Sequence, residues 1–297
     1  MPHNDNSKHI FDTIAIVGVG LIGGSLGMAA KKHGIVRRVI GVGRSEQKLM
    51  RAQILGAIDD YTLDMENGAS DADLVILCTP VCLVVPTLQK IAGSLKEGAV
   101  VTDAGSTKGE IVNQAGAIMP DGTYFVGGHP MAGSEESGVE AAFSDMFLGA
   151  TYVLTNTDDT DLDALGRMVA FAEAIEAKAE VMSPKEHDLA TAIISHLPHA
   201  MAAALLQVAE NGQRESGKVF RLAAGSFRDL TRISDSPPEL WRDISITNAE
   251  SLIEAIDSYQ EHLLSFKDAL KQRDIDAIMN FFEEAGQIRK TYMRATN

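Results

Sequence analysis

A doubly wound parallel α/β sheet followed by an all-helical region is the fold class this sequence predicts. Three observations predict it. Apolar strands alternate with helical segments through the first half of the chain. A glycine-rich turn lies between the first strand and the first helix. Strand patterns stop near residue 183, where Ser183-Pro184-Lys185-Glu186 has the form of a capped helix start. The expected domains are residues 10–182 and 183–297.

Residues 13–17 form a β-branched apolar run, and 21–32 read as the helix that follows. Strand 38–42 precedes helix 46–55. Strand 74–78 ends at Thr79-Pro80, and 83–95 read as helical with Pro86 near the start. Strand 99–103 precedes helix 108–117, and further strands are expected at 124–126, 151–154 and 180–182. Beyond the boundary, 188–210, 218–224, 238–270 and 275–293 read as helices, with a polar turn at 229–238. Pro198 lacks an N–H and is expected to kink its helix about one turn earlier.

Gly18-Val19-Gly20-Leu21-Ile22-Gly23 matches G-x-G-x-x-G in the strand-to-helix context that a dinucleotide site of Rossmann type requires. Gly18 suits the tight turn, Gly20 the approach of a pyrophosphate and Gly23 close helix–strand packing. At the end of the second strand, Arg44 and Ser45 stand where NAD sites usually carry an acid, with Lys48 one turn onward. This favours NADP, with NAD as the alternative if Arg44 only stacks on adenine. Thr79, Pro80, Asp103 and Ser106 end later strands and are expected near the cofactor. Ser106 suits either a ligand hydroxyl or a helix cap.

His129 follows the strand at 124–126, inside GGHPMAGSEESG (127–138). An imidazole at the carboxyl end of a strand is where a proton acceptor for alcohol oxidation belongs. His196 and His199 share a helix face in SHLPH. Arg228 and Arg232 lie four apart in GSFRDLTRI, where one arginine can hold a carboxylate bidentately. No metal site is expected, because no third ligand has suitable spacing.

With 26 Lys and Arg against 41 Asp and Glu, the net charge of −15 argues against nucleic acid and anionic membranes as partners. Cys78 and Cys82 read as small buried hydrophobes in a reducing compartment. The polar N-terminus and the lack of an apolar run near 18 residues point to a cytoplasmic protein without a membrane span.

Taken in order behind the glycine fingerprint, DAGSTK, GGHPMAGSEESG, SHLPH and GSFRDLTRI resemble prephenate dehydrogenase, also called cyclohexadienyl or arogenate dehydrogenase. The resemblance spans about residues 13–293 and implies a Rossmann domain followed by an all-α dimerisation domain. It implies NAD(P)-dependent oxidative decarboxylation of prephenate or arogenate in tyrosine biosynthesis, by a homodimer. By motif, His129 resembles the catalytic proton acceptor and Ser106 the serine that bonds the same hydroxyl. His199 and Arg232 resemble substrate binders, Arg232 on a carboxylate. His196, Glu135 and Trp241 match lining or gating positions. No fused mutase or C-terminal regulatory domain is expected, so inhibition by tyrosine would act at the active site. Two rival readings remain: a β-hydroxyacid dehydrogenase, and a non-catalytic NADP-sensing protein.

Overall fold

The computed structural model describes residues 9–134 and 136–293. Six strands make a parallel sheet: β1 (Phe11–Val17), β2 (Val36–Val42), β3 (Asp60–Thr62), β4 (Leu74–Leu77), β5 (Val100–Asp103) and β6 (Tyr124–Val126), in the order β3-β2-β1-β4-β5-β6. The connecting helices are α1 (Leu21–Lys32), α2 (Glu46–Ile54), α3 (Met65–Ser70), α4 (Val81–Ile91) and α5 (Gly109–Ile118). Strand order reverses between β1 and β4, which opens a crevice at their carboxyl ends. Successive side chains go to opposite faces. Ile14, Ile16, Leu74 and Ile76 join one core, while Ala15, Val17, Val75 and Leu77 join the other. Each such Ile, Leu or Val contributes about 1.5–3 kcal/mol by leaving water.

The strands after β6 depart from expectation. β7 (Gly128–Pro130), β8 (Thr151–Thr155) and β9 (Lys178–Met182) form a separate three-stranded sheet, with α6 (Leu162–Ala174) between β8 and β9. β7 runs antiparallel to β8, and β8 parallel to β9. Gly127 and Gly128 permit the change of sheet. A Cβ on Gly127 would stand 2.4 Å from Thr155 Oγ1, and one on Gly128 2.7 Å from the Asp103 carbonyl oxygen. His129 therefore lies within β7, not in a loop beyond the parallel sheet.

After residue 183 come α7 (Pro184–Thr191), a π-helical turn (Ala192–His196), α8 (Leu197–Ser216), α9 (Gly225–Thr231), a 3₁₀ turn (Arg232–Asp235), α10 (Pro238–Thr247), α11 (Ala249–Gln272) and α12 (Ile275–Tyr292). The expected capping box is present between Ser183 and Glu186. The π turn lies directly before Pro198, where the missing N–H and the ring's bulk disfavour a regular α turn. The helix expected over 238–270 is broken at Asn248, which ends α10. The run Pro184–Ser216 is long and apolar enough, by length and composition, to cross a bilayer, which the sequence reading did not anticipate. Its first turns nevertheless carry His187 and Asp188, both buried against the sheet-bearing part of the chain.

The chain divides into two compact units, residues 1–249 and 250–297. In the second, Phe266, Phe281 and Phe282 pack ring to ring, with Phe266 and Phe281 stacked at 4.7 Å. α12 buries none of its residues.

Candidate active site

The fingerprint turn is built for a dinucleotide. Gly18 has φ +97°, and a Cβ there would lie 2.6 Å from the Cys78 carbonyl oxygen. A Cβ on Gly23 would strike the Gly18 oxygen at 2.3 Å. Gly20 differs: a Cβ there meets nothing within 4 Å, so packing does not demand glycine, and open space lies over the N-terminus of α1. The first-turn N–H groups of that helix have no helical acceptors, and they face this space with the positive end of the dipole. Val19, Leu21 and Ile22 are partly buried and pack against the core. Nearby, the buried Thr79 Oγ1 has no hydrogen-bond partner among the described residues. An open glycine cradle and an orphaned hydroxyl fit a bound dinucleotide. Pro80 is exposed at the same strand end.

Arg44 and Lys48 are exposed beside the second strand. Ser45 caps α2, its hydroxyl accepting from Lys48 N at 3.4 Å. The side chain of Asp103, which the sequence places near the cofactor, is engaged within the protein. Its fully buried carboxylate pairs with Lys108 and accepts from the N–H groups of Gly105 (2.8 Å) and Gly128 (3.2 Å). These bonds fix the loop after β5 and the start of β7. The Lys108 ammonium is equally buried, and desolvation holds it below its ordinary range despite Asp103.

Ser106 is half-buried on that loop and does not cap α5. The cap comes from across the molecule. Asp188 on α7 accepts from Lys108 N and Gly109 N, each at 2.7 Å. Its Oδ1 also accepts from His187 Nδ1 at 2.7 Å, and His187 Nε2 meets His129 Nδ1 at 2.8 Å. An ionised carboxylate only accepts, so His187 carries its proton on Nδ1. In the neutral ring Nε2 is then an acceptor, and His129 donates from Nδ1. The Nε2 lone pair of His129 is left unprotonated. Burial above all, and then the neighbouring His187, Lys108 and His196, holds His129 well below the usual histidine range.

Asn248 extends the network. Its Nδ2 donates to the Asp188 carbonyl at 2.8 Å and toward His196 Nδ1 at 3.2 Å. Burial lowers His196 to about 4. Trp241 lies edge-on to His196 and stacks on His199 at 3.7 Å. The buried Trp241 Nε1 has no partner among the described residues. His199 donates from Nδ1 to the Ser195 carbonyl at 2.9 Å. Hydrogen bonds and ring contacts thus link His129, His196, His199 and Trp241, which the sequence singled out, through His187, Asp188 and Asn248, which it did not. Arg232 is exposed on the 3₁₀ turn packed against α8, the helix that carries His199, and Arg228 is exposed on α9. Glu135 lies outside the described residues.

Comparison with known proteins gives this geometry its family. Residues 26–181 match the description "Prephenate dehydrogenase, nucleotide-binding domain", and residues 183–284 match "Prephenate dehydrogenase, dimerization domain". The chain belongs to the prephenate dehydrogenase family. It is 38% identical over 279 residues to prephenate dehydrogenase of Bacillus subtilis, covering 94% of this chain and 75% of that one. It is 33% identical to cyclohexadienyl dehydrogenase of Zymomonas mobilis, covering 94% and 96%. The crystal structure of A. aeolicus prephenate dehydrogenase in complex with hydroxyphenyl propionate and NAD+ superposes with a TM-score of 0.87 at 32% identity, over 96% of this chain and 98% of that one. As a member of the prephenate dehydrogenase family, this chain is an NAD(P)-dependent oxidoreductase with prephenate or cyclohexadienyl dehydrogenase function. The family's dimerisation domain supports a homodimer acting on a small molecule.

Proposed function

We propose that this chain carries out the oxidative decarboxylation of prephenate, arogenate or both, in tyrosine biosynthesis, with His129 as proton acceptor. The observation that carries the reading is the tautomer forced on His129: Nδ1 donates to His187, so Nε2 is a free base. Bound nicotinamide would supply the hydride acceptor for the ring C4 hydrogen. Neutral His129 takes the C4 hydroxyl proton, and Ser106 hydrogen-bonds the same oxygen. Electron demand at C4 draws the C1 carboxylate out as carbon dioxide, and aromatisation drives the step without a covalent intermediate. Arg232 holds a substrate carboxylate and His199 helps bind the ring acid. His196, Trp241 and Glu135 line the site, and the unpartnered indole N–H supports an acceptor group beside Trp241.

The glycine segment from Gly18 to Gly23 holds the pyrophosphate, with Thr79 and Pro80 near the nicotinamide end. Arg44, joined by Ser45 and Lys48, favours NADP, since no carboxylate stands there to repel a 2′-phosphate. The working unit is a cytoplasmic homodimer with a functional division at residues 182/183, and tyrosine inhibits by occupying the substrate site. Initial rates with prephenate and arogenate crossed against NAD and NADP test the activity and rank the four pairings. Turnover of neither acid would overturn it. In His129→Asn, kcat is expected to collapse while nucleotide affinity stays unchanged.

A further inference from the structure

We propose that His187 and Asp188 form a proton relay behind His129, so that the hydroxyl proton is held as a His187 imidazolium against a carboxylate during turnover. The proposal rests on the reading of His129 as proton acceptor and goes one bond further into the protein.

The geometry sets the direction of transfer. His129 Nδ1 and His187 Nε2 are 2.8 Å apart, and His187 Nδ1 and Asp188 Oδ1 are 2.7 Å apart. His187 is 1% exposed and Asp188 6%, so water does not compete for the proton. His129 is poorly placed to keep a positive charge, because burial strips it of water and the neighbouring His187, Lys108 and His196 also act against it. Asp103 is committed to Lys108. The carboxylate that faces a new imidazolium is Asp188, held by two backbone N–H groups at the start of α5.

The step balances. His129 Nε2 forms a bond to the hydroxyl proton as the O–H bond breaks, and the Nδ1 proton of His129 passes to His187 Nε2. His129 ends neutral, with its proton now on Nε2. His187 becomes the imidazolium and keeps its Nδ1–H bond to Asp188. Once the C1 carboxylate has left, the ring oxygen is a phenolate. The same path run backward returns the proton to it, with no net exchange of protons with solvent.

Two substitutions separate relay from orientation. In His187→Gln an amide oxygen can stand near the old Nε2 position. It accepts from His129 but cannot take up its proton. In His187→Asn an amide nitrogen can donate to Asp188, while the bond to His129 is lost. A relay predicts that both lower kcat by at least about tenfold, with KM for the ring acid unchanged within about twofold. A merely orienting His187 predicts that His187→Gln stays within about threefold of the parent, and that result would overturn the relay. Nitrogen-15 NMR of the unaltered protein gives a readout that does not depend on how the variants fold. Both rings are expected as Nδ1–H tautomers near neutral pH, and an Nε2–H form of either neutral ring would also overturn the relay. If His129→Asn is inactive while His187→Gln is active, only the relay fails. If both are active, the proton-acceptor reading fails as well.

Discussion

The parallel-sheet region and the two C-terminal helices use the same apolar residue types to opposite ends. In the sheet, Ile14, Ile16, Val75 and Leu77 are closed off from solvent within one chain. In α11 and α12, Leu264, Met279, Phe282 and Ile288 stand more than half exposed. The sheet completes its own core, while the helical pair leaves apolar side chains exposed, and the dimerisation-domain match over residues 183–284 supports a second copy as partner. The lesson is that apolar content alone does not say whether a segment makes a core or an interface. Self-sufficiency of the surrounding layers decides.

The contrast can be broken or sharpened from either side. The largest expected effect belongs to the sheet-bearing region: His129→Asn should lower kcat by about a thousandfold in steady-state assays. Next, Lys108→Met leaves the Asp103 carboxylate buried without its cation. Denaturant unfolding should show a loss of about 3–5 kcal/mol. On the helical side, Ile288→Glu puts a charge on the exposed apolar face. It should raise the dimer dissociation constant at least about tenfold by sedimentation while leaving the sheet intact, since one buried charge costs more than 1.4 kcal/mol.

A pH effect should follow. His196 is buried neutral with its value lowered to about 4, against an ordinary 6.5. The unfolded chain therefore binds more protons between these values, so stability is full above the ordinary value and falls as pH drops through this window. Near pH 5 the loss from this ring is about 2 kcal/mol, and His196→Gln should flatten that part of the stability profile. The smallest effect is expected for Arg232→Ala: KM for the anionic substrate rises about tenfold with kcat little changed.

Much of the sheet was legible because its signals are local. A buried parallel strand is a short apolar run, and Gly18 and Gly23 must be glycine for reasons of backbone and close packing. The capping box at Ser183 was legible for the same reason. β3, α3 and α6 were missed. Asp60–Thr62 and Met65–Ser70 are too short to show a period, and Leu162–Ala174 follows a polar loop that hides its start. β7 was missed because Gly-His-Pro has no strand propensity, and its pairing with β8 is imposed by the glycine-permitted turn.

At the candidate site, the sequence singled out residues carried by motifs and not those defined by distant partners. His187 reaches His129 across 58 positions and Asn248 reaches Asp188 across 60. No spacing rule covers such pairs. One local hint existed: a His-Asp pair directly behind a capping box, at the start of an apolar helix, needs a reason to be there.

The placement of Asp188 also bears on how this enzyme can be cut. A fragment ending at residue 182 would keep the nucleotide cradle and every strand of both sheets. It would lose the acceptor for the amides of Lys108 and Gly109 at the start of α5, and the partner of His129. Severed there, the dinucleotide-binding portion should survive as a ligand-binding module yet be chemically inert, because the proposed base on one side of the cut takes its tautomer from a carboxylate on the other.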